Sequence, residues 1–295
     1  MSRRKNPWVG LAYVAPALAF VAVFVLWPMG HLIWLSFTAK SLMSTPGTPV
    51  EFIGFDNYTR AFGDKNFWRA MKFTLTYTLY ITPILMILNL SLALLVSKNT
   101  RLRRVTRTVI FLPVVIGLAS SSLLWYWLFD LQVGLFNKLL VDLHILSEPM
   151  VWFKKATTAQ FAVIISVTWK VVGFGMILMV AGIQAISHDV IEAAMIDGAS
   201  PFMRVRRIII PLAARSIILA TLISAIGSML AFDQFYLMSG GGPRGQTFTT
   251  VYWIYQSSFV RFELGYGSAQ AVLLMIVITT GTALQLYLSR GGRKA

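Results

Sequence analysis

Residues 73–96 read FTLTYTLYITPILMILNLSLALLV, a run without a single Asp, Glu, Lys, Arg or His. A hydrocarbon layer about 30 Å thick is crossed by about 20 mostly apolar helical residues. This run is long enough, and five further stretches share its character: Trp8–Phe37, Val105–Phe129, Ala159–Ile186, Leu212–Met238 and Leu264–Leu288. No regular β alternation runs through them, which argues against a barrel. The expected fold is therefore all-α, one polytopic membrane domain over residues 1–295 with six transmembrane helices. Pro28, Pro83 and Pro113 fall inside three of these stretches. Membrane helices tolerate proline where neighbours satisfy the freed backbone groups.

Composition agrees. Of 295 residues, 57% are hydrophobic and only 13% charged, against about 25% charged in a soluble domain. The formal charge of +15 raises nucleic acid as a partner. The basic residues lie between apolar runs, so membrane topology explains them better and no nucleic-acid role is expected. The absence of cysteine excludes disulfides, thiolate catalysis and cysteine metal sites. The apolar run after Arg3-Arg4-Lys5 is too long for a cleaved signal, whose core is about 7–15 residues, so it reads as an uncleaved first helix.

Orientation follows from the distribution of Lys and Arg. One set of connections carries Arg3, Arg4 and Lys5; Lys98, Arg101, Arg103, Arg104 and Arg107; Arg204, Arg206, Arg207 and Arg215; and Arg290, Arg293 and Lys294. The opposite set is sparser over longer loops. Both termini are expected in the cytoplasm. Trp125, Trp127, Trp152 and Trp253 fall near the expected interfaces and read as aromatic anchors.

Several motifs fail their context. Gly240, Gly242 and Gly245 spell G-x-G-x-x-G, and Gln246 replaces the lysine of a P-loop-like match. A dinucleotide fingerprint follows a strand and opens a helix, whereas this one follows a membrane stretch. A glycine-rich turn is the reading, and no ATP hydrolysis is expected of this chain. His31, His144 and His188 lack ligand spacing, so no metal site is expected. Ser120, Ser121 and Ser122 read as helix-packing residues.

The connection between the fourth and fifth stretches, residues 187–211, reads SHDVIEAAMIDGASPFMRVRRIIIP. Asp189 and Glu192 have capping-box spacing for a short helix. Gly198 is placed to stop it in the left-handed conformation. Ser200 and Pro201 then read as N-cap and first residue of a second helix. Arg204 and Arg207 lie on one side of it, and Pro211 is expected to close it. Such a helix-turn-helix suits transmission of a push from a soluble partner. An amphipathic connector lying on the lipid surface is the alternative that these residues alone leave open.

Glu192-Ala193-Ala194, Gly198, Ile208 and Pro211 match the pattern E-A-A-x3-G-x9-I-x-x-P. This resembles the EAA motif of ABC importer permeases, and Asp197-Gly198-Ala199 strengthens the resemblance. Further matches extend it along the chain: Ala15-Pro16-Ala17 with Pro28, the Phe52–Tyr58 segment, Gly134–Asn137, Phe232–Tyr236 and Gly240–Pro243 look like the maltose-F and glycerol-3-phosphate-A type of permease. The departures are Ser187, where proline is common, and Ala214-Arg215, where Arg-Pro is common. The resemblance implies a transport subunit, not an enzyme, that docks on a separate ATPase through Glu192, Ala193, Ala194, Asp197, Gly198, Ala199, Pro201 and Arg204. It also implies a bacterial or archaeal cytoplasmic membrane, a second permease subunit, two ATPase copies that bind ATP and Mg, and an extracytoplasmic binding protein delivering a sugar, polyol or related solute. No cofactor is expected in this chain.

A sugar path needs amides, carboxylates and aromatic faces. The candidates are Asn89, Lys170, Asp233, Gln234, Tyr236 and Gln256. Lys170 sits mid-membrane, where insertion costs about 2.5–3.5 kcal/mol; a carboxylate, a helix C-terminus or the solute are its possible partners. An ion- or proton-coupled secondary transporter is the alternative function. That class is marked by paired discontinuous helices, which are not visible in the sequence.

Overall fold

Backbone amides in a bilayer must be paired within the protein, and the chain meets this demand with helices. The structure, a computed structural model, describes residues 7–45, 47 and 49–291. Its only bridge among the described residues is an isolated one between Thr38 and Phe52. In chain order the helices are α1 (Pro7–Val21), α2 (Trp27–Leu35), α3 (Asp56–Gly63), α4 (Lys65–Val96), α5 (Arg101–Val115), α6 (Leu118–Leu128) and α7 (Leu135–Asp142). There follow α8 (Ala156–Gln184), α9 (His188–Ile196), α10 (Pro201–Arg204), α11 (Ile210–Leu212), α12 (Ala214–Met229), α13 (Thr250–Tyr255) and α14 (Leu264–Gly291). Five-residue π turns join α1 to α2, α10 to α11, and extend α13.

Four stretches are long and apolar enough to cross a membrane: Tyr13–Leu35, Lys65–Val96, Ala156–Gln184 and Leu264–Ser289. The third and fifth expected helices are not continuous. Arg101–Val115 and Leu118–Leu128 meet at 97°, and Pro201–Leu212 and Ala214–Met229 at 74°. Ile116 is extended (φ −67°, ψ 138°) and is followed by Gly117, a residue that costs about 1 kcal/mol relative to Ala inside a helix. The second bend lies at Ala213 (φ −84°, ψ 4°), so the helix passes through Pro211 instead of closing there. The fifth stretch also ends early: α12 stops at Met229, and helix resumes only at Asp233. The basic residues Arg3, Arg4, Lys5, Arg293 and Lys294 lie outside the described residues.

The chain divides into two contact units, Met1–Phe67 with Ile254–Val277 and Trp68–Trp253 with Ile278–Ala295. In the first, Asn57 Nδ2 donates to the carbonyls of Ser36 (3.0 Å) and Thr38 (2.8 Å). Arg60 grips both carboxylate oxygens of Glu263 at 2.9 Å and lies over the ring of Tyr266, whose hydroxyl donates to Asp64 at 2.8 Å. These bonds tie the residues just after α2 and the short helix α3 to the start of α14.

In the second unit α8 is the central strut, packed on α5, α6 and α12. Two of its glycines allow this. A Cβ on Gly173 would run into the backbone of Ile110 and Phe111 in α5, and one on Gly175 into the side chain of Asn89 in α4. Ala93, Val96, Met176, Met179, Val180 and Ala220 form the buried core between α4, α8 and α12. The tryptophans correct the expected aromatic belt. Only Trp127 is exposed; Trp125, Trp152 and Trp253 are buried. Trp125 stacks on Phe136 and packs on Phe129, and Trp152 Nε1 donates to Asn137 Oδ1 at 3.1 Å. Each of these rings has a protein partner, which is why lipid does not receive it.

Candidate functional site

Two regions of the second unit carry the expected site residues. The first is the connection between α8 and α12. Its α9 begins at His188 after Ser187, two residues earlier than capping-box spacing requires, and no side chain caps it. Asp189 is thereby inside the helix, and Glu192 turns to His188 Nδ1 at 3.0 Å instead of reaching back to the Asp189 N–H. The turn itself matches the sequence reading. Gly198 has φ +74° with no atom within 4 Å of a built Cβ. Its N–H donates to Met195 O at 3.1 Å, and the Ala199 N–H to Ala194 O at 2.9 Å. These are the paired bonds of a Schellman stop. Ser200 Oγ accepts from the Met203 N–H at 3.3 Å, with Pro201 as first residue of α10.

The result is a two-helix projection whose ends continue into α8 and, through the 74° bend, into α12. Ala194 is packed inside it. Glu192, Ala193, Asp197 and Pro201 are exposed, with Ala199 and Arg204 half-buried. Ile196 and Phe202 stand 86% and 74% exposed, a large apolar outlay for a loop and one that fits contact with a protein partner or the lipid surface.

The second region is a cavity of about 250 Å3 walled by α4, α8, α12 and the α5–α6 bend. Its polar groups are Tyr77, Ser224, Ser228 and Gln234. Tyr77 Oη and Gln234 Oε1 are buried without a hydrogen-bond partner, and a buried polar atom left unpaired costs about 1–3 kcal/mol. Ser228 Oγ lies 3.0 Å from Thr78 Oγ1 and 2.8 Å from the Ala225 carbonyl. A phenol and an amide oxygen left free in a chamber lined mostly by apolar side chains, with two serines and no charge, suit a neutral, hydroxyl-bearing guest.

Of the expected path residues, only Gln234 lines this cavity. Asn89 is wedged against Gly175 between α4 and α8. Tyr236 lines a separate open hollow of about 430 Å3 with Tyr126, Asp130, Trp152 and Phe153. There the backbone N–H groups of Val133 and Gln132 hold the Asp130 carboxyl below the usual carboxylate range. Asp233 lines neither space, and Gln256 belongs to the first unit. Tyr77 was not among the sequence candidates; its only trace there is the helical spacing Tyr77, Ile81, Leu85 on one face of α4.

Lys170 meets a backbone carbonyl of a neighbouring helix. It is 6% exposed, and its Nζ donates to the Val114 carbonyl at 2.8 Å. That carbonyl belongs to the last turn of α5, immediately before the 97° bend. The ammonium thus occupies the negative end of a helix dipole and satisfies an acceptor that the break leaves open.

Comparison with known proteins adds a second line of evidence. Residues 61–294 match the family model described as binding-protein-dependent transport system inner membrane component. The sulfoquinovosyl glycerol transport system permease protein of Agrobacterium fabrum is 34% identical over 94% of this chain and 89% of its own length. The trehalose/maltose transport system permease protein of Thermococcus litoralis is 31% identical over 96% and 94%. In three dimensions the chain resembles a chain of a bacterial alginate ABC transporter, crystallised with an alginate pentasaccharide-bound periplasmic protein. The TM-score is 0.83 at 21% identity, covering 98% of this chain and 96% of that one.

If Lys170 serves the bend, Lys170→Met, which keeps the aliphatic stem and removes the donor, lowers the thermal midpoint of the purified permease by several degrees. It slows uptake at unchanged KM. A raised KM at unchanged midpoint would make Lys170 a solute contact instead.

Proposed function

The chain belongs to the binding-protein-dependent transport system inner membrane component family, and from that premise we propose how its parts divide the work of import. It is a membrane permease, a transport component of an ABC importer and not an enzyme. Six membrane crossings are the reading that each bent pair of helices supports when counted as one span. Residues 1–295 then form one transmembrane domain, with both termini and residues 187–211 in the cytoplasm. A second, similar permease completes the path, two copies of an ATPase bind ATP and Mg2+ beneath it, and a binding protein delivers solute from outside.

The observation that carries this reading is the helix-turn-helix of α9 and α10. It is stopped by Gly198, restarted by Ser200 and Pro201, and continuous at both ends with membrane helices. Glu192, Ala193, Ala194, Asp197, Gly198, Ala199, Pro201 and Arg204 form its docking element for the ATPase. Closure of the ATPases on ATP pushes this element, α8 and α12 follow, and the chamber changes the side to which it opens.

The solute is a saccharide or glycoside. Two relatives are named for such cargo, and the Tyr77–Gln234 cavity offers hydroxyl-matching groups without a charge among its lining residues. Gln234 and Tyr77 are the proposed solute contacts, with Tyr236 on the separate hollow as an aromatic face. Asn89 and Lys170 shape the wall from behind. Asp233 and Gln256 keep a place on the proposed path from their residue chemistry alone.

Gly198→Val separates conformation from bulk, since space is free there and only φ +74° resists a side chain, at about 1–2 kcal/mol. The variant is expected to insert normally and to lose ATPase on copurification. Glu192→Gln keeps the side-chain volume and removes the charge; it lowers substrate-stimulated ATP hydrolysis and transport together. Full copurification and normal stimulation with Gly198→Val would reject docking through this loop. For the cavity, Tyr77→Phe raises the KM for uptake roughly tenfold, the value of one hydrogen bond to a buried hydroxyl, while the complex still assembles. An unchanged KM would remove Tyr77 from the path.

A further inference from the structure

The helix-turn-helix has two sides: Glu192, Ala193 and Asp197 of the docking element are on the exposed one, while Pro201 and Arg204 also border the inner one. On the other side, a hollow of about 1000 Å3 opens between it and the ends of α4 and α8. Its apolar floor includes Leu94 of α4, Ile183 of α8 and Ile191 of α9, and its rim carries Lys98, His188 and Arg204. No Asp or Glu lines it.

Two features identify what this hollow is shaped to hold. The first is charge. Among the described residues, neither Lys98 nor Arg204 has a carboxylate within ion-pair distance, so two cations border a space whose lining holds no carboxylate. The second is position. Lys65–Val96 and Ala156–Gln184 are long and apolar enough to cross a membrane, and the hollow lies where both end. That is the depth at which an acyl chain gives way to a headgroup. Its walls are also rigid. Arg107 donates to the carbonyls of Val96, Ser97 and Lys98, closing the end of α4, and Gln184 Nε2 ties α8 to Ser97 O at 2.9 Å. The loop that presents Lys98 is therefore held in place without using the Lys98 side chain.

We propose that the hollow bounded by Lys98, Arg204 and the ends of α4 and α8 is a binding site for an anionic phospholipid, its phosphate on the two cations and one acyl chain along Leu94, Ile183 and Ile191. Basic pockets at the ends of membrane helices recognise anionic headgroups in this way. A lipid seated there wedges the inner side of the helix-turn-helix and sets its angle to α8. The site does not depend on which side of the membrane the loop faces, nor on whether the loop docks an ATPase.

The test is native mass spectrometry of the full permease, alone and copurified with its ATPase, after incubation with phosphatidylglycerol or with phosphatidylcholine of identical chains. Wild type is expected to retain phosphatidylglycerol selectively, and Lys98→Gln/Arg204→Gln to lose that preference by roughly tenfold. Arg101→Gln/Arg206→Gln removes the same charge from exposed positions outside the lining and is expected to retain the lipid. Equal retention of the two lipids, or equal loss in both double variants, would overturn the proposal. Displacement by millimolar inorganic phosphate would assign the rim to a free anion and also overturn it. If the ATPase complex of wild type retains no more phosphatidylglycerol than that of Lys98→Gln/Arg204→Gln, the hollow belongs to the ATPase and the proposal fails. A Lys98→Gln/Arg204→Gln protein with an altered thermal midpoint is replaced by Lys98→Gln alone, for which an undiminished preference counts against the site.

Discussion

The hydrogen bond from Lys170 to Val114 is the contact on which the second unit depends. A bilayer offers no water to a broken helix, so a 97° bend within a membrane-crossing pair must be satisfied by the protein itself. Lys170 does so from the middle of α8, and Gly173, one turn later, lets the same helix lie directly on the α5 backbone. The strut and the bend are thus one construction. The cavity wall at Val114 and Leu118 is set by that bend, so the shape of the cavity follows from a bond at its edge.

The same strut runs uninterrupted from Ala156 to Gln184 and passes within three residues into α9. A displacement of the α9–α10 element has a short mechanical route: along α8, whose glycines fix it to α4 and α5, and across the Ala213 bend into α12. Both helices line the cavity. The Schellman stop at Gly198 keeps the two short helices at a fixed angle, which is what an element that transmits a push requires.

What the sequence revealed and what it hid divide along physical lines. The α9–α10 turn was legible because its signals are local: Gly198 takes a φ that other residues resist, and Ser200 with Pro201 is read within four residues. The D-x-x-E pair misled because the helix starts two positions earlier, with Ser187 at its N-cap, and a cap depends on that register. The bends at Gly117 and Ala213 were hidden because apolar composition fixes the presence of a membrane segment, not the continuity of its backbone. Lys170 could be recognised as needing a partner, but Val114 lies 56 residues earlier, and only tertiary packing brings the two together. Tyr77 reads like any aromatic residue of a lipid-embedded run; only the tertiary structure buries its hydroxyl without a partner at the cavity wall. Trp125 and Trp152 sit at the ends of helices where either lipid or protein could have received them, and Phe136 and Asn137 decided in favour of protein.

The central claim is that the exposed face of α9 and α10 is gripped by an ATPase on the cytoplasmic side. Site-specific photo-crosslinking in native membranes tests it without purification or reporter cysteines. A photoreactive phenylalanine analogue at Ile196 or Phe202, the two most exposed apolar positions of that face, is predicted to give a covalent adduct with the ATPase, and one at Trp127 to give none. An adduct with the ATPase from Trp127 and none from Ile196 or Phe202 would contradict both the orientation and the docking role of the loop.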